Sequence, residues 1–212
     1  MKEFFNVETI ESVLAHAPSF TAVQAESVHL AESLDRVLAE DVYSDVDIPE
    51  FNRSTMDGFA VKASSTFGAS EANPAYLTVA GLIPMGVKPA FTIGPGEAAR
   101  IATGGMLPEG ADSVIMVEHT DLLDDTTIEA YRSVAPGQNI IEKGEDIQRR
   151  DPALVKGTRI RSQEMGLLAA CGRTEMTVYK RPAVGIISTG DEVVPVNQVP
   201  GEGQIRDINT HS

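Results

Sequence analysis

The sequence predicts a multidomain α+β architecture: an elongated α/β linker unit interrupted by an inserted, mainly β domain, then the first strand of a doubly wound α/β domain. Three observations predict it. Between residues 45 and 140, apolar segments of strand length alternate with Gly, Pro and Asp. The hydrophobic elements on either side, residues 1–44 and 141–178, are too few to build separate compact domains and are expected to join into one discontinuous unit. From Arg181, the apolar run Ala183 to Ile187 leads directly into Ser188-Thr-Gly-Asp-Glu192, as a buried strand does when it delivers a ligand loop at its carboxyl end. One such strand cannot bury both of its faces. Residues 179–212 are therefore expected to open a truncated domain, and the chain to be the front part of a larger protein.

In chain order, Val7, Ile10, Val13 and Leu14 recur at helical spacing after Asn6, a good N-cap, and predict a short amphipathic helix ending near Pro18. A second short helix is expected around Ala31 to Arg36, followed by a strand from Arg36 to Tyr43. Ile48 to Asp57 is rich in turn formers and hydroxyls and reads as a loop. Strands are then expected at Gly58 to Lys62, Tyr76 to Ala80, Ala98 to Ile101, Ser113 to Glu118 and Thr127 to Val134. After an irregular stretch to Gly157, a strand near Arg159 precedes a helix from Ser162, its N-cap, to about Cys171, where Gly172 supplies a left-handed stop.

The 212 residues, 42% hydrophobic and 23% charged, suit a folded globular protein. A net charge of −14 argues against a duplex-binding surface, which needs clustered Lys and Arg, so no nucleic-acid partner is expected. The charge is uneven: residues 1–50 carry eleven Asp or Glu against Lys2 and Arg36 alone, while nine of the 17 Lys and Arg fall between Lys143 and Arg181. That basic stretch reads as either a solvated face or an anion-facing surface. No apolar run approaches the ~20 residues that span a bilayer, and the N-terminus lacks the h-region of a secretory signal. No membrane association is expected, and the cytoplasm is the expected compartment. Cys171, alone in an apolar context, reads as a buried thiol rather than a nucleophile. The four histidines form no zinc-ligand spacing.

Three segments could carry chemistry. Asn52-Arg-Ser-Thr-Met-Asp-Gly58 puts an acid at the end of a hydroxyl-rich loop, where Asp57 either caps its own loop as an Asx-turn or stands as a carboxylate at a cleft edge. Ile101-Ala-Thr-Gly-Gly-Met-Leu-Pro108 combines a hydroxyl with paired glycines. It is either a plain connection or a cradle whose backbone N–H groups near Thr103 to Gly105 face an oxyanion. In Ser188-Thr-Gly-Asp-Glu192 the two acids either cap a following helix or line a ligand loop, and Gln204-Ile-Arg-Asp-Ile-Asn209 adds a cation, a carboxylate and an amide suited to a phosphate-bearing heterocycle.

Together, Ser54 to Val61, Ile101 to Pro108 with Gly110 to Ile115, Gly144-Glu-Asp-Ile147, Pro182 to Val194 and Gly203 to Asp207 resemble the molybdopterin molybdenumtransferase family, which is similar to the gephyrin E domain. The resemblance spans residues 5 to 212. It implies insertion of molybdate into the dithiolene of adenylated molybdopterin, with release of AMP and help from Mg²⁺, in a molybdopterin-binding site shared across a homodimer. Other molybdenum-cofactor biosynthesis proteins are possible partners on the same ground. By motif, Asp57, Thr103 and Glu192 are implied as catalytic. Thr103, Gly104, Asp146, Thr189, Gly190, Asp191, Glu192, Arg206, Asp207 and Asn209 are implied to bind the cofactor, with Glu192 and Asp207 on the metal. Two departures bear on the anion site: Ile141 and Lys143 stand where the family commonly carries arginine, and Ile208 where it usually has serine. The alternative is a non-catalytic dimeric scaffold of the gephyrin type. A standalone pterin binder would need a complete third domain.

Overall fold

The computed structural model describes residues 8–21 and 23–212, which form two units: residues 27–178, and the described residues before 27 together with residues 179–212. The first elements in chain order are α1 (Ile10–Leu14), β1 (Ala25–His29), β2 (Val42–Tyr43), β3 (Arg53–Ser54), β4 (Gly58–Val61), β5 (Ala75–Leu82), β6 (Glu97–Ile101) and β7 (Ser113–Met116). They are followed by β8 (Thr120–Leu122), β9 (Thr127–Ala130), β10 (Ile140–Ile141), β11 (Pro152–Leu154), α2 (Ser162–Ala170), β12 (Glu175–Tyr179), β13 (Val193–Val194) and β14 (Ile205–Arg206). The result is a mixed α/β chain that is mostly sheet. No helix among the described residues is long and apolar enough to cross a membrane.

The larger unit is centred on a six-stranded sheet in the order β7-β4-β6-β5-β9-β8, antiparallel except for the β5–β6 pair. β4 lies between β6 and β7 and is buried at all four residues, so its alternating side chains feed two cores. Phe59 and Val61 pack with Leu77, Ala98, Ile115 and Ile128 on one face. Ala60 packs with Ile83, Ile93, Ala99, Ile101 and Val114 on the other. Burying each large side chain contributes roughly 1.5–3 kcal/mol, so this doubly covered sheet is a rigid base for the loops at its ends. A third cluster draws Val28, Leu38 and Val42 from one stretch of chain and Ile160, Leu168, Met176 and Val178 from another. The pairings β2–β11 and β1–β12 and the bridges Val37–Arg159 and Leu38–Val178 join those stretches.

The same apposition accounts for the uneven charge. Lys143 lies 3.2 Å from Asp47, Arg159 2.8 Å from Asp35 and Arg173 3.0 Å from Asp45. Three of the nine Lys and Arg of the basic stretch thus face acids of the first fifty residues. Exposed pairs of this kind stabilise by roughly 0–1 kcal/mol each, so their main consequence is that these cations are already engaged.

Several expected elements differ. α1 starts at Ile10 behind Thr9, whose hydroxyl accepts the Ser12 N–H at 3.2 Å; Asn6 and Val7 lie outside the described residues. The helix expected over 31–36 is a single 3-10 turn, Leu30–Glu32, because Asp35 takes φ 63° and the chain turns to hydrogen-bond Ile160. The strand expected over 36–43 shrinks to β2 plus isolated bridges. β7 stops at Met116, where a 3-10 turn over Val117–His119 redirects the chain, and β9 stops at Ala130. The strand near Arg159 is one bridge. α2 is capped by Arg161, not Ser162: Glu164 reaches back to the Arg161 N–H at 2.9 Å and pairs with its guanidinium at 2.6 Å, which holds the Glu164 carboxyl down to about 2. Gly172 stops the helix at φ 73°, and Cys171 is buried, both as expected.

In the smaller unit, residues 183–187 make no strand pairing, and Val184, Ile186 and Ile187 are exposed. The expected buried strand is not formed, because a strand is stabilised by ladder bonds and cover that no described segment supplies. Among the described residues, regular structure there is limited to α1, a 3-10 turn over Ala17–Ser19, the strand ends at residues 25–26 and 179, and the two-residue parallel pair β13–β14.

Candidate functional site

Asp57 ends the turn that carries the chain from β3 into β4. Buried Ser54 ties that turn: its hydroxyl donates to the Met56 carbonyl at 2.5 Å and accepts the Met56 N–H at 3.1 Å. The Ser54 backbone pairs with the glycine loop in both directions, accepting from Gly104 N–H at 2.8 Å and donating to the Gly105 carbonyl at 3.0 Å. Across this link, Asp57 Oδ1 accepts the Thr103 N–H at 2.7 Å and the Thr103 hydroxyl at 2.8 Å. The carboxylate thus clasps a loop distant in sequence instead of capping its own, which corrects the Asx-turn reading. It also lines a cavity, so the cleft-edge reading describes it.

The glycines permit this close approach. Gly104 has φ 83°, a conformation that side-chain-bearing residues rarely adopt, and a Cβ on Gly105 would lie 2.7 Å from the Ile101 side chain. The N–H groups of the loop are spent internally: Thr103 donates to Asp57, Gly104 to Ser54 and Gly105 to Ala102. Of the two readings of this loop, the plain connection fits its hydrogen bonds, since no backbone N–H over Thr103 to Gly105 is left for an oxyanion. A turn this tight must satisfy its own polar groups, and here it does so with every donor an anion could have used.

The two Thr103 donors, the backbone N–H first, hold the Asp57 carboxyl below its ordinary 3.8. A depressed acid contributes stability that is present above its unfolded pKa and lost as pH falls through the folded value. Residue-resolved carboxyl NMR should place the Asp57 midpoint below 3.8 and move it upward in Thr103→Val. A Thr103→Val midpoint unchanged from wild type would remove the hydroxyl from the clasp.

In the Gly144-Glu-Asp loop, Gly144 takes φ 73° and donates to the Pro49 carbonyl at 2.9 Å, while Asp146 is exposed and held by its N–H to Ile48 at 3.0 Å. Lys143 does not replace the missing arginine as a spare cation. Its N–H is on Asn52 Oδ1 at 2.8 Å, its ammonium faces Asp47, and Ile141 pairs with Arg53 in β10–β3. A cavity of about 610 Å³ opens beside this loop, with Phe51, Lys88, Phe91, Met106 and Lys143 in its walls.

In the smaller unit, Asp207 is the hub. Its Oδ1 accepts from the Ser188 hydroxyl at 2.8 Å and the Thr210 N–H at 3.1 Å, its Oδ2 from the Thr210 hydroxyl, and these donors, Thr210 first, depress its pKa. The Glu192 carbonyl accepts the Ile205 N–H at 2.7 Å, and Arg206 Nε donates to Val196 at 3.2 Å. Neither Asp191 nor Glu192 caps a helix; β13 follows them. Gly190, with φ 136°, and Asp207 line a cavity of about 530 Å³ with Ser188 and His211. Thr189, Asp191 and Asn209 are exposed, as is Ile208, which presents apolar surface where a serine is usual. The sequence marks Ser188 only as the opening residue of its segment and does not single out Thr210. The Asp207-to-Thr210 spacing, typical of a side chain turning back on its own backbone, was the available signal. No three His, Cys, Asp or Glu side chains converge on a possible cation among the described residues.

A mostly-sheet unit carrying a carboxylate-clasped glycine loop, followed by a Ser-Thr-Gly-Asp-Glu segment, defines the class. The chain belongs to the MoeA family, whose "MoeA N-terminal region (domain I and II)" matches residues 6–172. A Bacillus subtilis protein named molybdopterin molybdenumtransferase is 40% identical over 189 residues, covering 88% of this chain and 44% of the relative. A Staphylococcus aureus protein of the same name is 38% identical over 202 residues, 95% of this chain and 47% of the relative. A solved Pyrococcus horikoshii molybdopterin biosynthesis MoeA protein superposes with a TM-score of 0.76 at 40% identity, over 97% of this chain and 53% of that one. The chain thus spans about half the length of the proteins it matches.

Proposed function

We propose that this chain supplies the glycine-loop part of a transferase site in molybdenum cofactor biosynthesis, where molybdate enters the dithiolene of adenylated molybdopterin and AMP is released. The Asp57–Thr103 clasp at a cavity rim carries the reading, since a scaffold has no need for an ionised acid held at a cleft edge by two donors. Asp57 keeps the glycine loop in one conformation and its own charge fixed while charge redistributes on the phosphoanhydride. Thr189, Gly190, Asp191, Arg206 and Asn209 contribute polar contacts to the pterin and its phosphate, and Asp146 closes the edge of the β domain. Mg²⁺ is commonly bound by one or two carboxylates plus substrate phosphates. Glu192 and Asp207 fit that donor set, Asp207 being held ionised by its neighbours. Bound there, the metal would neutralise charge on the phosphoanhydride.

On the same reading, residues 1–44 with 141–178 form the linker and dimerisation domain, residues 45–140 the inserted β domain, and residues 179–212 the start of the molybdopterin-binding domain of a cytoplasmic homodimer. The test is a chimaera in which residues 8–178 replace the matching region of the Bacillus subtilis relative. Given adenylated molybdopterin, molybdate and Mg²⁺, it should release AMP at a rate within about tenfold of the relative, the scatter expected when catalytic groups are retained but positioned less well. A folded, dimeric chimaera that releases none would support the scaffold alternative.

A further inference from the structure

The cavity beside Asp57, about 270 Å³, holds a cation that the clasp does not use: Arg100, set among Phe59, Leu82, Ala102 and Val117. Arg100 lies in β6, in register with Phe59 of β4 and Leu82 of β5, so the three share one sheet face. Along β6, Ala98, Ala99 and Ile101 are buried and Arg100 is exposed. That position suits a side chain whose methylene stem covers apolar surface while its head stays in solvent. Arg159, Arg161 and Arg173 each pair with a carboxylate, but no ion pair or side-chain hydrogen bond engages the Arg100 guanidinium among the described residues.

We propose that Arg100 is the oxyanion-binding group of this cavity, holding a tetrahedral oxyanion, either molybdate or the phosphate of an adenylate, beside the Asp57–Thr103 clasp. The inference rests on the proposed function and supplies what the glycine loop lacks, since every N–H over Thr103 to Gly105 is already donated within the protein. A guanidinium presents five donors in a planar fork that matches two oxygens of a tetrahedral anion. The flanking Phe59, Leu82 and Val117 are apolar and offer the guanidinium no competing side-chain acceptor. Asp57, the other charged group of the cavity, repels an anion, so the anion is confined to the Arg100 side. That asymmetry gives the site an orientation.

Isothermal titration of the 212-residue protein at low ionic strength with sodium molybdate, inorganic phosphate and AMP in turn tests this. Arg100→Ala should weaken binding at least tenfold, and Arg100→Lys should recover only part of the loss, because a point charge replaces the fork. Lys88→Ala, in the larger cavity, should leave binding unchanged. A loss confined to molybdate assigns the metal oxyanion; a loss confined to phosphate and AMP assigns the adenylate. Wild-type affinity retained by a folded Arg100→Ala protein, or failure of the wild type to bind any of the three probes at millimolar concentration, overturns the proposal. Because this readout needs no turnover, a chimaera that releases no AMP while oxyanion binding still depends on Arg100 would refute the transferase reading and leave the Arg100 assignment standing.

Discussion

Gly58→Ala should be among the most destabilising single substitutions in the chain, lowering stability by about 3 kcal/mol or more, the upper range for one residue. A Cβ built on Gly58 falls 1.8 Å from the Ile115 carbonyl oxygen and 3.1 Å from Met116 Cα, both backbone atoms of β7. No rotamer change relieves a backbone clash. Gly58 is also paired on its other side with Ile101 of β6, so β4 cannot retreat without breaking a second ladder. For a unit of this size, 3 kcal/mol corresponds to roughly 6–12 °C in Tm, measurable by thermal and urea melts. Gly166→Ala is the control of opposite sign: nothing lies within 4 Å of its Cβ, and an alanine inside α2 should stabilise by roughly 0.5–1 kcal/mol. If the Gly58 variant melts within a degree of wild type, β7 is not packed against β4 as described.

Gly58 also illustrates what the sequence made legible. Gly58 to Val61, Ala98 to Ile101 and Ser113 to Met116 are short apolar segments bounded by turn formers, so β4, β6 and β7 of the central sheet follow from local pattern. β1 and β8 did not, because Ala25–His29 buries only Val28 and Thr120–Leu122 buries nothing. A strand held mainly by backbone ladders leaves little hydrophobic signature. The candidate site divides in the same way. Asp57 and Thr103 could be singled out by motif, but their pairing could not be read, since it depends on Ser54 and Gly104 docking across 46 residues between the clasped pair. The basic stretch after Lys143 was ambiguous in sequence because its partners, Asp35, Asp45 and Asp47, lie about a hundred residues earlier. Arg100 sits in a strand-like run, Ala-Ala-Arg-Ile, and only the register with Phe59 and Leu82 places it at a cavity.

In the chimaera that tests function, Asp57→Asn should lower kcat for AMP release by roughly 10²–10³, the range for losing a preorganised electrostatic group. Asparagine can still accept the Thr103 N–H, so the loop need not unfold; what disappears is the fixed negative charge. Thr103→Val removes only the hydroxyl donor and should cost roughly 10–100-fold, as expected for one hydrogen bond to a charged group worth about 1.5–3 kcal/mol. The decisive measurement is the double variant. If the Thr103 hydroxyl acts by holding Asp57, removing it from a protein that already lacks the Asp57 charge should cost little more, and the double variant should resemble Asp57→Asn alone. Losses that multiply instead would mean the two side chains act on the substrate independently. The pH profile of Thr103→Val gives a second reading of the same coupling. The clasp depresses the Asp57 carboxyl, so the acid limb of kcat/KM should shift to higher pH once the hydroxyl is gone, as protonation of Asp57 sets in earlier. A limb that stays in place while kcat falls would assign Thr103 a contact with substrate rather than a hold on Asp57.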